Sequence, residues 1–174
     1  GDFTSSYDDG AVTNATVAAL LDWLQQLSQV TVPVEGRSVF SNRAMRALNH
    51  EHIFELPLRE ANGLDLDGIT AGLAGEARLL ATDRPYARAV AALGSRYLAD
   101  GERLVHGDYF PGSWLKAADG PRVIDPEFCF LGDAEFDYGV LAAHLTIARC
   151  PSDVVARVMA AAIHGYPVFT TRRP

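Results

Sequence analysis

The sequence predicts an α+β fold that is mainly helical, with one small β-hairpin patch near the middle of the chain. Three observations carry that expectation. Apolar residues recur at helical spacing over most of the length. Short apolar and β-branched runs bounded by turn residues are confined to the stretch from Arg103 to Ile124. No internal repeat or low-complexity segment interrupts the pattern. A chain of 174 residues fits a single domain, residues 1–174, which at this size can bury most of its surface in a core.

The elements follow in order. The first ten residues, with Asp8-Asp9-Gly10, read as an irregular lead-in. From Thr13 to Val30, the residues Val17, Leu20, Leu21, Leu24 and Leu27 mark a helix with Thr13 or Asn14 as its N-cap. Pro33 and Gly36 break that pattern. A short helix is expected over Arg43 to Asn49, then a link holding His50 and His52, then an extended apolar piece from Ile53 to Leu58. Leu66 to Ala81 reads as a second long helix. Asp65 and Asp67 before and within it lack the downstream glutamate of a calcium loop, which assigns them to a turn and an N-cap. Asp83-Arg84-Pro85 opens a third helix that ends at Asp100-Gly101. Strands are expected over Arg103–Val105, Ser113–Lys116 and Arg122–Ile124, with a turn at Asp119-Gly120. Helices from Phe136 to Ala148 and from Asp153 to His164 complete the chain before a short tail.

Composition narrows the function classes. A formal charge of −7 opposes nucleic acid as the main partner, because phosphate backbones require a basic surface. No apolar run is long enough to span a bilayer, so no membrane partner is expected. The start of the chain lacks a basic-then-apolar signal pattern, which points to the cytoplasm. Cys129 and Cys150 have no metal-ligand spacing and read as plain apolar-site thiols.

The chemistry concentrates between His106 and Asp137, which reads HGDYFPGSWL, then VIDPEF, then GDAEFDYG. Phosphoryl transfer to a hydroxyl needs a carboxylate beside the attacking oxygen and oxygen ligands that hold Mg²⁺ against the nucleotide phosphates. Asp108 follows a short strand and enters an irregular loop. Its spacing to Ser113 equals that between the base and the metal-binding Asn of the protein-kinase catalytic loop. Asp125 ends the next strand, after a turn that returns the chain towards Asp108. Glu127 lies two residues on, sharing a face with Asp125 in extended chain. Two carboxylates and a hydroxyl make the hard oxygen set that Mg²⁺ prefers.

These residues resemble the aminoglycoside phosphotransferase and choline kinase superfamily. Ser113 and the Asp125-Pro126-Glu127-Phe128 form are most similar to methylthioribose kinases, as is the upstream LNHEHIF of Leu48 to Phe54. Most of the superfamily has Asn where Ser113 stands and Asp where Glu127 stands. The resemblance implies the C-terminal lobe of the protein-kinase-like fold. It implies ATP as phosphoryl donor and Mg²⁺ as cofactor, with a small-molecule hydroxyl as acceptor. That acceptor would be a sugar or thiosugar such as methylthioribose, or an aminoglycoside or amino alcohol. Asp108 would be the catalytic base, and Ser113, Asp125 and Glu127 would be metal ligands. His106 would brace the loop, and Asp137 would accept backbone hydrogen bonds from it. Trp114 would pack in the core beneath.

The nucleotide-binding N-terminal lobe of such kinases carries a glycine-rich phosphate loop and a lysine. No such loop is found in this sequence, and its only lysine is Lys116. The expectation is therefore a C-terminal lobe whose N-terminal lobe resides in the same polypeptide or in another chain, with self-association possible through an uncovered apolar face. The competing reading is an inactive kinase-like remnant that binds a ligand or a protein. His50 and His52 lack a third partner for metal, and Arg172 and Arg173 are left unassigned.

Overall fold

The computed structural model describes residues 1–5 and 12–164. The pair Arg172 and Arg173 lies outside them. In chain order the helices are α1 (Asn14–Gln29), α2 (Arg43–His50), α3 (Leu66–Ile69), α4 (Leu73–Thr82), α5 (Arg84–Leu98), α6 (Glu135–Ile147) and α7 (Ser152–His164). The strands are β1 (Arg103–Val105), β2 (Trp114–Ala117), β3 (Gly120–Val123) and β4 (Phe130–Gly132). The mainly helical α+β class predicted from periodicity is the class observed. Among the described residues no helix is long and apolar enough to cross a membrane.

The chain divides into two compact units: Gly1–Asn42 together with Asp100–Pro174, and Arg43–Ala99. The first unit is built on α1. Thr13 caps that helix, its Oγ1 accepting from the Thr16 N–H at 3.1 Å. Val17, Leu20, Leu21 and Leu24 recur on one face and are buried. They pack with Leu141 and Leu145 of α6, Val154 and Val158 of α7, and Tyr109 and Trp114 of the central segment. A smaller cluster forms around Val32, Leu104 and Leu131.

Two antiparallel pairs frame the central segment. β1 pairs with β4, Leu104 opposite Leu131 and Val105 opposite Phe130. β2 pairs with β3 through the tight turn predicted at Asp119-Gly120, Trp114 opposite Val123. The sequence reading omitted β4. Its three residues are too few to show alternation, and their strand character comes from β1, which is distant along the chain.

The second unit is helical. Arg46 is buried, and its Nη2 donates to the carbonyls of Tyr97 at 3.0 Å and Ala99 at 2.8 Å. It thereby satisfies acceptors at the C-terminus of α5 that the helix leaves open. Asn49 Nδ2 donates to Tyr97 Oη at 3.1 Å. Asp83 caps the start of α5 by accepting from the Tyr86 N–H, with Pro85 in its first turn.

Two segments differ from the expected elements. The long helix over Leu66 to Ala81 is two helices, because Thr70 turns extended after α3 and Gly72 takes a left-handed φ of 89° at the start of α4. Asp67 bridges the break, its Oδ1 accepting from the Ala74 N–H. The extended piece from Ile53 to Leu58 is instead a π-helical turn, Glu51–Glu55, followed by a 3₁₀ turn, Leu56–Leu58. Arg59 closes this stretch with hydrogen bonds to Glu51 and Glu55, both at 2.9 Å, which strand geometry would not bring to one side chain.

Candidate active site

The site is built on the loop that leaves β1. His106 is the first residue beyond the strand and is buried. Its ring nitrogens have different partners: Nδ1 faces the Asp108 N–H at 3.3 Å, and Nε2 faces the Ile124 carbonyl at 2.9 Å. An N–H can only donate and a carbonyl can only accept, so Nε2 carries the proton and Nδ1 is bare. Burial lowers the ring's pKa below its ordinary value, with the Ile124 carbonyl and the carboxylates of Asp108 and Asp125 pulling the other way. The edge of the ring meets Trp23 and Tyr109, which stack on each other with centroids 5.4 Å apart.

Gly107 follows with φ of 84°. A Cβ at this position would lie 2.4 Å from the Phe128 carbonyl oxygen, so the residue must be glycine on two counts. The N–H groups of His106 and Gly107 both donate to Asp137, at 2.6 Å and 3.1 Å. Asp137 belongs to the first turn of α6 and is fully buried. Burial raises its carboxyl to about 7, the two N–H donors opposing that rise and Asp108 adding to it.

Asp108 is fixed by its backbone. Its N–H is bonded to His106, while its carbonyl accepts from the Phe110 N–H at 3.0 Å and from Ser113 Oγ at 2.9 Å. Its carboxylate has no hydrogen-bond partner among the described residues. Burial raises the carboxyl's pKa, the neighbouring His106 lowers it, and Glu127 and Asp125 raise it again. Those last two effects place three acidic side chains in one electrostatic neighbourhood. Ser113 is buried and donates its proton within the loop, so only its oxygen lone pairs remain for a cation.

The other two carboxylates stand on the turn after β3. The Ile124 N–H donates to the Ser113 carbonyl, which fastens the start of that turn to the loop. Asp125 has a left-handed backbone, φ 60° and ψ 58°, and opens the 3₁₀ turn Pro126–Phe128. Aspartate tolerates that region at modest cost, whereas a branched residue would not. Asp125 and Glu127 are exposed, and neither side chain has a partner among the described residues. Among those residues no three His, Cys, Asp or Glu side chains converge as a self-sufficient metal cage.

Sequence reasoning passed over Asn42 and Tyr109. Asn42 Nδ2 donates to the carbonyls of Glu127 at 2.8 Å and Cys129 at 3.0 Å. Tyr109 Oη donates to the Leu20 carbonyl at 3.0 Å and ties the loop to α1. Neither has a local sequence signal, since each partner lies more than eighty residues away. Cys129 and Cys150 are free and half-buried, and burial raises the thiol of Cys129 to about 11 and that of Cys150 more modestly.

Asp108 thus stands on a braced loop within electrostatic reach of Asp125 and Glu127. A family model described as the phosphotransferase enzyme family matches residues 5–173. The chain belongs to that family. Within it, the chain is 38% identical over 99 residues to a methylthioribose kinase of Exiguobacterium sibiricum, covering 57% of this chain and 25% of that protein. It is 34% identical over 115 residues to the methylthioribose kinase of Pectobacterium atrosepticum, covering 65% of this chain and 28% of the relative. A methylthioribose kinase of Klebsiella pneumoniae strain 342 is 34% identical over 127 residues, covering 71% and 31%. The matched region thus spans about a quarter to a third of the length of these phosphotransferase relatives.

Proposed function

We propose that this chain supplies the acceptor-activating and metal-holding part of an ATP- and Mg²⁺-dependent kinase that phosphorylates a hydroxyl of a small molecule. The leading acceptor is a methylthioribose-type thiosugar, on the strength of the names its relatives carry. The observation that carries the reading is Asp108: its backbone is bonded on both sides while its carboxylate is left without a protein partner, beside Asp125 and Glu127.

The donor set fits Mg²⁺. This ion is usually held by one or two carboxylates, with waters and substrate phosphates completing its shell, so an all-protein cage is unnecessary. Asp125 and Glu127 would be the carboxylate ligands, and Ser113 would add a lone pair. Bound Mg²⁺ would supply charge neutralisation at the nucleotide phosphates. Asp108 orients the acceptor hydroxyl and takes up its proton as the oxygen attacks. Its raised pKa brings it nearer the working pH, where a general base is most effective. His106 and Asp137 act on the backbone alone, and their bonds keep Asp108 from turning away. Positioning of this kind is the larger part of phosphoryl-transfer catalysis.

The test is phosphorylation of methylthioribose, measured with Mg²⁺ and ATP on the complete polypeptide that carries this chain. Asp108→Asn is expected to lower kcat by roughly 10²–10⁴, and Asp125→Asn to raise the Mg²⁺ concentration needed for half-maximal rate. Equal measurable rates in the parent and both variants would overturn the roles given to Asp108 and Asp125, and equal inactivity of all three would favour an inactive binding module.

A further inference from the structure

Resting on the metal reading of Asp125 and Glu127 above, we propose that Asn42 is a positioning residue that sets the cation affinity of the site through the backbone of the acidic turn. Asn42 ends the 3₁₀ turn Val39–Ser41 in a left-handed conformation, φ 41° and ψ 42°. From there its single amide NH₂ reaches two carbonyls, those of Glu127 and Cys129. These carbonyls belong to the 127–128 and 129–130 peptide units, so one side chain fixes the peptide plane that follows Glu127 and the one that leads into β4.

The turn is held at its ends by the Ile124 N–H on the Ser113 carbonyl and by the pairing of Phe130 with Val105. Inside it, the Cys129 N–H donates to the Pro126 carbonyl at 2.9 Å. The Glu127 carboxylate is exposed and has no side-chain partner among the described residues, so its direction follows from the backbone that carries it. Asp125 opens the same turn in its left-handed conformation. Locking the turn therefore reduces the freedom that both carboxylates must surrender when they close on a cation, which is the entropic part of preorganisation.

The residue type required here is narrow. The backbone needs a residue that accepts positive φ, which favours Gly, Asn or Asp. The two carbonyls need a donor with two protons, which Gly lacks. Aspartate would set a carboxylate against two carbonyl oxygens. Asparagine alone among these meets both demands.

That separation supplies the experiment. Asn42→Gly keeps the left-handed backbone and deletes the amide. Mn²⁺ is the probe, with its dissociation constant read by electron paramagnetic resonance on the complete polypeptide in the absence of substrate. Exchange of the Cys129 amide with solvent, followed by mass spectrometry, reports the turn itself. The expected result is a rise of at least threefold in the Mn²⁺ dissociation constant, faster exchange over residues 126–129, and little change in Tm. Glu127→Gln should weaken Mn²⁺ binding, and adding Asn42→Gly to it should weaken binding by a smaller factor than Asn42→Gly does in the parent, because only Asp125 is then left to be positioned. Unchanged Mn²⁺ affinity in Asn42→Gly beside a metal-binding parent would overturn the role of Asn42 and leave the kinase reading intact. A parent that binds no Mn²⁺, or a Glu127→Gln variant that binds as the parent does, would instead overturn the metal reading and this inference with it.

Discussion

His106 shows how much a single side chain can hold. Its two nitrogens bond the Asp108 N–H on one side and the Ile124 carbonyl on the other, so it joins the loop to the turn that carries the acids. A proton added at Nδ1 would face an N–H donor, and burial already disfavours the cation. The folded-state pKa therefore lies below the unfolded value of about 6.5. The stabilisation is complete above that value and is lost as the pH falls towards the folded pKa, because the unfolded chain takes up the proton first. The raised carboxyls of Asp137 and Asp108 act in the opposite sense over this range, because the folded state takes up their protons first, and they are common to parent and variant. Urea unfolding at pH 7 and pH 5.5 should therefore show a change in stability on acidification that is less favourable in the parent than in His106→Gln. Equal changes would show that His106 does not contribute. His144, also lowered by burial, acts in the same direction and is common to both proteins. At this scale the family resemblance led to the bonds that Asp137 accepts from the loop, which the structure shows. The sequence was silent on Asn42, whose work is done 85 residues away.

At the scale of elements, two glycines separate backbone strain from steric conflict. Gly72 has φ of 89° and open space where a Cβ would stand, whereas Gly107 has φ of 84° and a carbonyl oxygen in that place. Gly72→Ala is expected to cost about 1 kcal/mol, the strain of a left-handed alanine alone. Gly107→Ala adds the displacement of the Phe128 segment and should cost at least twice as much. Denaturant midpoints of the two variants check this, and similar losses would show that the Phe128 segment yields freely. The same glycine explains why one helix was expected over Leu66 to Ala81. Apolar spacing continues across Gly72, and periodicity counts side chains without registering a reversed φ. The π-helical turn at Glu51–Glu55 escaped notice for a related reason: its apolar run is short, and short apolar runs are compatible with strand or helix.

For the whole molecule, the legible part was the class and the order of helices, because long amphipathic periods survive without tertiary information. The division into Arg43–Ala99 and the remainder was not legible, since it depends on pairings such as β1 with β4 that join distant stretches. Leu20 of α1 sits at the centre of the first unit's core and is 0% exposed. Leu20→Ala should destabilise that unit by roughly 2–5 kcal/mol. At this chain length such a loss lowers Tm by roughly 2–4 °C per kcal/mol. Differential scanning calorimetry reads the shift, and a Tm within about 4 °C of the parent's, the shift that the smallest of these losses gives, would mean the site collapses around the smaller side chain.

Asp137 belongs to a helix, yet its oxygens are occupied by the amides of residues 106 and 107. Helix start and loop are thus a single mechanical joint. Unwinding at the head of α6 would let the loop go in the same motion, so the resting geometry of Asp108 is only as durable as the first turn of that helix.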